Sequence, residues 1–131
     1  MKIFVDGGYH PKYKQSAYAY TYQYPNKPPF STCGFSNATN SREAELLAAE
    51  LALKNADEKY IELYTDYQGL IDGVEDKRHT KEFQGIIEAM GNKTVKLFHM
   101  NGHRDDNDVI RCDKMINGLW KELRRLEKHK N

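Results

Sequence analysis

Cysteine is scarce in this sequence: Cys33 and Cys112 are the only two among 131 residues. Two such thiols provide neither a disulfide framework nor the ligand spacing of a zinc site, and they fit a reducing, cytoplasmic setting. Long apolar runs are missing too. The opening MKIFVDGGYH carries one Lys and an apolar run broken at Asp6, which speaks against a signal peptide or a membrane span. Neither charge sign is in surplus, with 20 Lys plus Arg against 19 Asp plus Glu and a net charge of +1. No global field therefore draws a polyanion, and any contact with nucleic acid must be local. Internal repeats and low-complexity tracts are absent. What is present, 39% hydrophobic and 30% charged residues, suits one continuous core, so residues 1–131 are expected to form a single domain. Nothing calls for an obligatory protein partner, and a monomer is expected.

Along the chain, Lys2 to Val5 reads as a buried strand that ends at Asp6-Gly7-Gly8, a backbone-permissive turn. Ser16 to Tyr24 alternates strictly, with Tyr18, Tyr20, Tyr22 and Tyr24 on one face and Ala17, Ala19 and Thr21 on the other. The PNKPP turn then leads into a third strand, Phe30 to Phe35. Asn40 or Ser41 caps a helix reaching about Ala56, whose Ala44, Ala48, Ala49, Ala52 and Ala56 share one side. Glu43, Glu50 and Lys54 share the solvent side, whereas Glu45 falls among the alanines. Tyr60 to Thr65 is a fourth strand ending at Asp66, followed by a short helix around Leu70, Ile71 and Val74. Phe83, Ile86, Ile87 and Met90 mark another helix, with Thr80 as cap and Gly91 as stop. Thr94 to His99 is a fifth strand, and a long helix from Asp108 carries Cys112, Ile116, Leu119, Leu123 and Leu126 as its core stripe. The fold class this order predicts is α/β: a five-stranded mixed sheet, three antiparallel strands followed by two parallel ones, with helices on both faces.

Asp6, Glu45, Asp66 and Asp113 come from four elements, each placed to point at one spot near the strand ends. Two unit negative charges about 4 Å apart repel by roughly 4 kcal/mol at an effective dielectric near 20, so such a cluster needs cations or raised pKa values. An all-oxygen donor set favours Mg²⁺, with Mn²⁺ as a substitute. Two ions about 3.5–4 Å apart would stabilise the attacking and leaving oxygens of a phosphodiester during in-line displacement. Other acids read more plainly: Glu43 as a solvated helix residue and rival to Glu45, and Asp105, Asp106 and Asp108 as loop or capping residues, with Asp108 a substitute for Asp113. The tyrosine row reads as a packed sheet face, Cys112 as core, and the KELRRLEKHK end as a charged helix face.

Four segments, VDGG, TNSREAELLAAELAL, LYTDYQ and GHRDDNDVIRCD, resemble the ordered motifs of type 1 ribonuclease H across nearly the whole chain. The resemblance implies an RNase H-like fold and a metal-dependent endoribonuclease that hydrolyses the RNA strand of RNA–DNA hybrids. It implies Asp6, Glu45, Asp66 and Asp113 as catalytic and metal-binding acids, with Asp6 bridging two ions, Asp113 joining it at one, and Glu45 and Asp66 completing the other. It further implies His103 as the catalytic loop histidine, Asn40 and Gln68 as contacts near the minor groove, and Gly7 and Gly8 as a backbone that approaches the RNA closely. Val109-Ile110 stand where the family usually has Asn-Glu, and a basic handle between Asp66 and His103 is absent. Two other readings stay open at this point: a catalytically weak hybrid-binding or polymerase-associated module of the same fold, and a DNA nuclease of the wider superfamily.

Overall fold

A computed structural model describes residues 1–76, 81–100 and 107–129, except the side chains of residue 82 and residues 107–110. The elements run β1 (Lys2–His10), β2 (Gln15–Gln23), β3 (Phe30–Ser36), α1 (Ser41–Lys54), β4 (Tyr60–Thr65), α2 (Gln68–Glu75), α3 (Lys81–Met90), β5 (Thr94–His99) and α4 (Asn107–His129). The sheet order is β3-β2-β1-β4-β5, with β1 antiparallel to β2, β2 antiparallel to β3, and β1-β4-β5 parallel. This is the expected α/β architecture. Among the described residues, no helix is long and apolar enough to cross a membrane.

Strand parity divides the core in two. Ile3, Val5, Tyr20, Tyr22, Ile61 and Leu63 face α1, α2 and α3, while Phe4, Ala17 and Ala19 face Cys112 and Ile116 of α4. Both faces of β2 are thus covered, and the tyrosine row is a packed face as expected. The buried Tyr22 hydroxyl donates to the Ala52 carbonyl at 2.7 Å, satisfying a polar group that burial would otherwise penalise.

The alanine stripe lets α1 approach the sheet closely. Ala44, Ala48, Ala49 and Ala52 have no exposed surface, and the Asn40 side-chain oxygen caps the helix by accepting from the Glu43 amide at 2.9 Å. The helix stops at Lys54, two residues before the sequence pattern suggests, because Asn55 already adopts a non-helical conformation.

β1 also departs from the sequence reading. It does not turn at Asp6-Gly7-Gly8 but continues to His10, which pairs with Gln15. The glycines answer to packing rather than to a turn. A Cβ on Gly7 would lie 2.4–2.5 Å from backbone atoms of Ala44 and Glu45, whereas one on Gly8 would meet Ile116 and Trp120 side chains at 3.4 Å. Gly7→Ala is therefore expected to cost about 3 kcal/mol or more, the upper range for overpacking, because rigid backbone is what must move. Urea unfolding should show a lowered midpoint at unchanged slope, with a clearly smaller loss for Gly8→Ala. Equal losses would contradict the assignment of Gly7 to the α1 contact.

The core stripe of α4 is shorter than its pattern predicts. Cys112 and Ile116 are buried, but Leu126 is 46% exposed and lines an open cavity with Tyr13 and Gln15 at the β1–β2 connection. There the Tyr13 hydroxyl, between β1 and β2, donates to Glu127 at 2.6 Å. Neither cysteine is in a disulfide, and Cys112 is core as expected.

Candidate metal centre and active site

The close α1–β1 contact at Gly7 sets the site. It brings Glu45, in the first turns of α1, against Asp6 in the middle of β1, and the Gly7 amide donates to both Asp6 Oδ1 at 2.9 Å and Glu45 Oε1 at 3.1 Å. One backbone N–H is thus shared between two carboxylates. Asp66 arrives from the end of the neighbouring parallel strand β4. Buried Thr65 fixes that end: its hydroxyl accepts from the Tyr67 amide at 3.1 Å, and its carbonyl accepts from the Met100 amide at 2.7 Å. The His99 ring Nε2 donates to the Asp66 carbonyl at 3.2 Å, tying β5 to the same turn.

One carboxylate oxygen each from Asp6, Glu45 and Asp66 lies within 4.8 Å of the other two. Glu45 is only 8% exposed, and among the described residues its buried Oε2 has no hydrogen-bond partner. Burial first, and then the charges of Asp6 and Asp66, push the Glu45 carboxyl up to about 10. Burial likewise raises Asp6 to about 6, opposed by its hydrogen bond with Glu45 and reinforced by Asp66 and Asp113. The two carboxyls titrate as a pair, and together they retain a proton that solvated carboxylates would release. A buried carboxylate oxygen with no donor, among negative neighbours, is a group whose missing partner is a cation. The donors are all oxygen and carry high negative charge, which fits a hard divalent ion such as Mg²⁺ or Mn²⁺.

Against this geometry, the family model for RNase H matches residues 1–119, from β1 to beyond Asp113 on α4. The chain belongs to the RNase H family. No curated protein sequence matches it. RNase H domains are divalent-metal-dependent nucleases that bind RNA–DNA hybrids. Three of the acids expected from the RNase H motifs converge, and the fourth, Asp113, lies near enough for its charge to raise Asp6 while standing outside the tight triple. Asp113 accepts from the Asn117 side chain at 3.3 Å, one turn further along α4.

Glu43, the rival for Glu45, points away from the triple. Its carboxylate accepts from both the Thr39 amide and the Thr39 hydroxyl at 2.8 Å, and these bonds hold its pKa below the usual carboxylate range. Asn40 is exposed and caps α1, and Gln68 opens α2, where its amide donates to Asp72 at 2.9 Å. Gly7 and Gly8 each have a packing role. His103 and Thr80 lie outside the described residues, as do the Asn101-Gly102 loop and the side chains of Asp108, Val109 and Ile110. Sequence reasoning missed two positioning groups, Thr65 and His99. A threonine directly before a strand-end acid was the available signal for the first, and nothing local signalled the second.

Proposed function

We propose that this RNase H-family chain, acting as a single-domain monomer, is an endoribonuclease that hydrolyses the RNA strand of RNA–DNA hybrids with two bound Mg²⁺ ions, Mn²⁺ serving as a substitute. The observation that carries the reading is the buried oxygen of Glu45, partnerless among the described residues, beside Asp6 and Asp66. A hybrid-binding module would need positive charge at this spot, and a cluster of desolvated carboxylates would only oppose binding. Retention of that cluster favours catalysis over the binding-module reading.

Asp6, Glu45, Asp66 and Asp113 would hold the cations, whose charge acidifies an attacking water and offsets the charge growing on the leaving oxygen. The work of the chain itself is positional. The Gly7 amide orients Asp6 and Glu45 together, the Thr65 and His99 contacts fix the Asp66 turn, and Asn117 holds Asp113. His103 is proposed to return a proton to the leaving 3′-oxygen, a role typically contributing about 10²–10⁴-fold. Asn40 and Gln68, flanking the acids at the starts of α1 and α2, are proposed to face the minor groove, where a 2′-hydroxyl distinguishes RNA from DNA.

Cleavage of matched RNA–DNA, RNA–RNA and DNA–DNA duplexes, with and without Mg²⁺, tests this. Only the RNA of the hybrid should be cut, leaving 5′-phosphate and 3′-hydroxyl ends, and EDTA should stop the reaction. Equal cutting of DNA–DNA, or 2′,3′-cyclic phosphate ends, would sink the assignment.

A further inference from the structure

On the α4 side of the sheet, three aromatic rings stand opposite one another across three strands. Phe4 is registered with Tyr64, and Tyr64 with Phe98. The rings stack at centroid distances of 4.9 and 5.1 Å, with planes only 14° and 18° apart. The array is buried at one end and open at the other: Phe4 is 2% exposed and Phe98 38%. β5 is the edge strand, and among the described residues no further strand follows Phe98. α4 lies across β1, β2 and β3. One helix about 10–12 Å wide cannot cover a five-stranded sheet roughly 19 Å across, which leaves the outer ring accessible.

The neighbouring rows of the same face have matching chemistry. One pleat repeat towards the strand starts, Lys2, Glu62 and Lys96 are registered across the strands. With Gln23, Tyr24 and Tyr60 they line a cavity of about 560 Å³. The Glu62 carboxylate accepts from the Tyr64 hydroxyl at 3.0 Å, and Lys2 stands 5.9 Å from the Tyr64 ring centre. Two cations thus face one already engaged carboxylate. In the other direction, Asp6 follows Phe4 and Asp66 follows Tyr64 by two residues, about 7 Å along each strand.

We infer that Phe98 is a stacking site for an unpaired nucleobase, so that single-stranded nucleic acid adjoining the hybrid is held on β5 beside the acid cluster. A parallel ring array is extended by another flat ring, and bases inside a duplex have both faces occupied, so the occupant must be unpaired. Lys96, two residues before Phe98, is placed to meet the phosphate of the nucleotide whose base lies on the ring. The orientation relative to a hybrid rests on the proposed function, but the stacking itself does not.

The test measures binding by fluorescence anisotropy in Ca²⁺, which suppresses cleavage. The probes are a blunt RNA–DNA hybrid, the same hybrid with a six-thymidine overhang at either end, the same overhangs made abasic, and oligothymidine alone. In the unaltered protein, a base-bearing overhang at one end should tighten binding and the abasic one should not. Phe98→Ala should remove roughly 5-fold or more of that gain, the lower end of what one base–aromatic stack contributes, while leaving the blunt hybrid unchanged. Phe98→Trp should keep the gain. Phe98→Leu, which preserves apolar volume at the sheet edge, should lose it as Ala does, separating stacking from a folding defect. Equal affinities of Phe98→Ala and the unaltered protein for every overhang, or abasic overhangs binding as well as base-bearing ones, would overturn the inference. Phe98-dependent binding of oligothymidine without any binding of the blunt hybrid would uphold the stacking site and count against the hybrid-nuclease reading alone.

Discussion

With Asp6 replaced by Asn, Mg²⁺-dependent cleavage of an RNA–DNA hybrid is expected to fall by about 10³-fold or more. The carboxylate lies within 4.8 Å of ligand oxygens on both Glu45 and Asp66 and also feels the charge of Asp113, so its field is coupled to each of the other three acids. Bound divalent ions supply several kcal/mol of charge stabilisation to the transition state, and about 1.4 kcal/mol is a factor of ten in rate. The loss should not be a folding defect. Asn keeps an oxygen for the Gly7 amide and removes a negative charge that burial already disfavours, so the variant should melt no lower than the parent in EDTA. Single-turnover rates with saturating enzyme check the first point and circular dichroism melts the second. An Asp6→Asn enzyme retaining a tenth of parental activity would contradict the placement of the site.

A second large effect separates two glutamates two positions apart on α1. Glu45→Gln should lose most Mg²⁺-dependent activity, on the order of 10²-fold or more for a lost ion contact, while Glu43→Gln keeps it. Their effects on stability should be reversed. Glu43 holds the entry of α1 through Thr39, so its replacement loosens the helix start, whereas Glu45 without a cation is a carboxyl in an environment hostile to its charge. The folded-state pKa values of Asp6 and Glu45 lie above those of the unfolded chain, so the native state binds more protons and stability falls as pH rises. In EDTA the parent should therefore lose stability progressively from about pH 4 towards about pH 10, the span between the ordinary and the raised values. Glu45→Gln should flatten that decline. A parent whose EDTA stability is level across this range, or a Glu43→Gln variant that is the inactive one, would reverse the roles assigned here.

Much of this was legible in the residues, for reasons that differ from element to element. β2 announces itself through alternation, and α1 through a stripe of alanines whose phase alone separates Glu45 from Glu43. Both patterns are local periodicities of a strand and a helix, and they survive folding because each element buries one definite face. The continuation of β1 through Gly7 and Gly8 was not legible. A Gly-Gly pair signals a turn when only its neighbours in sequence are considered, and the reason for these glycines is a helix whose contact residue is 37 positions away, at Ala44. The exposure of Leu126 was hidden in the same way, since an apolar stripe does not say where the sheet beneath it ends. At the site, the order and element of each acid could be read, but the shared Gly7 amide and the His99 contact to Asp66 depend on strand register. The aromatic array on β1, β4 and β5 depends on register too, which no single strand reveals.

Calorimetric titration of Mg²⁺ at pH 8, repeated in buffers of different ionisation enthalpy, tests most directly whether the clustered carboxylates of Asp6, Glu45 and Asp66 are a cation site. Saturable binding to the parent protein is expected, accompanied by proton release from the Asp6–Glu45 pair, with loss of both in Asp6→Asn and Glu45→Gln. Binding that is equally tight in the parent and both variants, with no protons released, would contradict it.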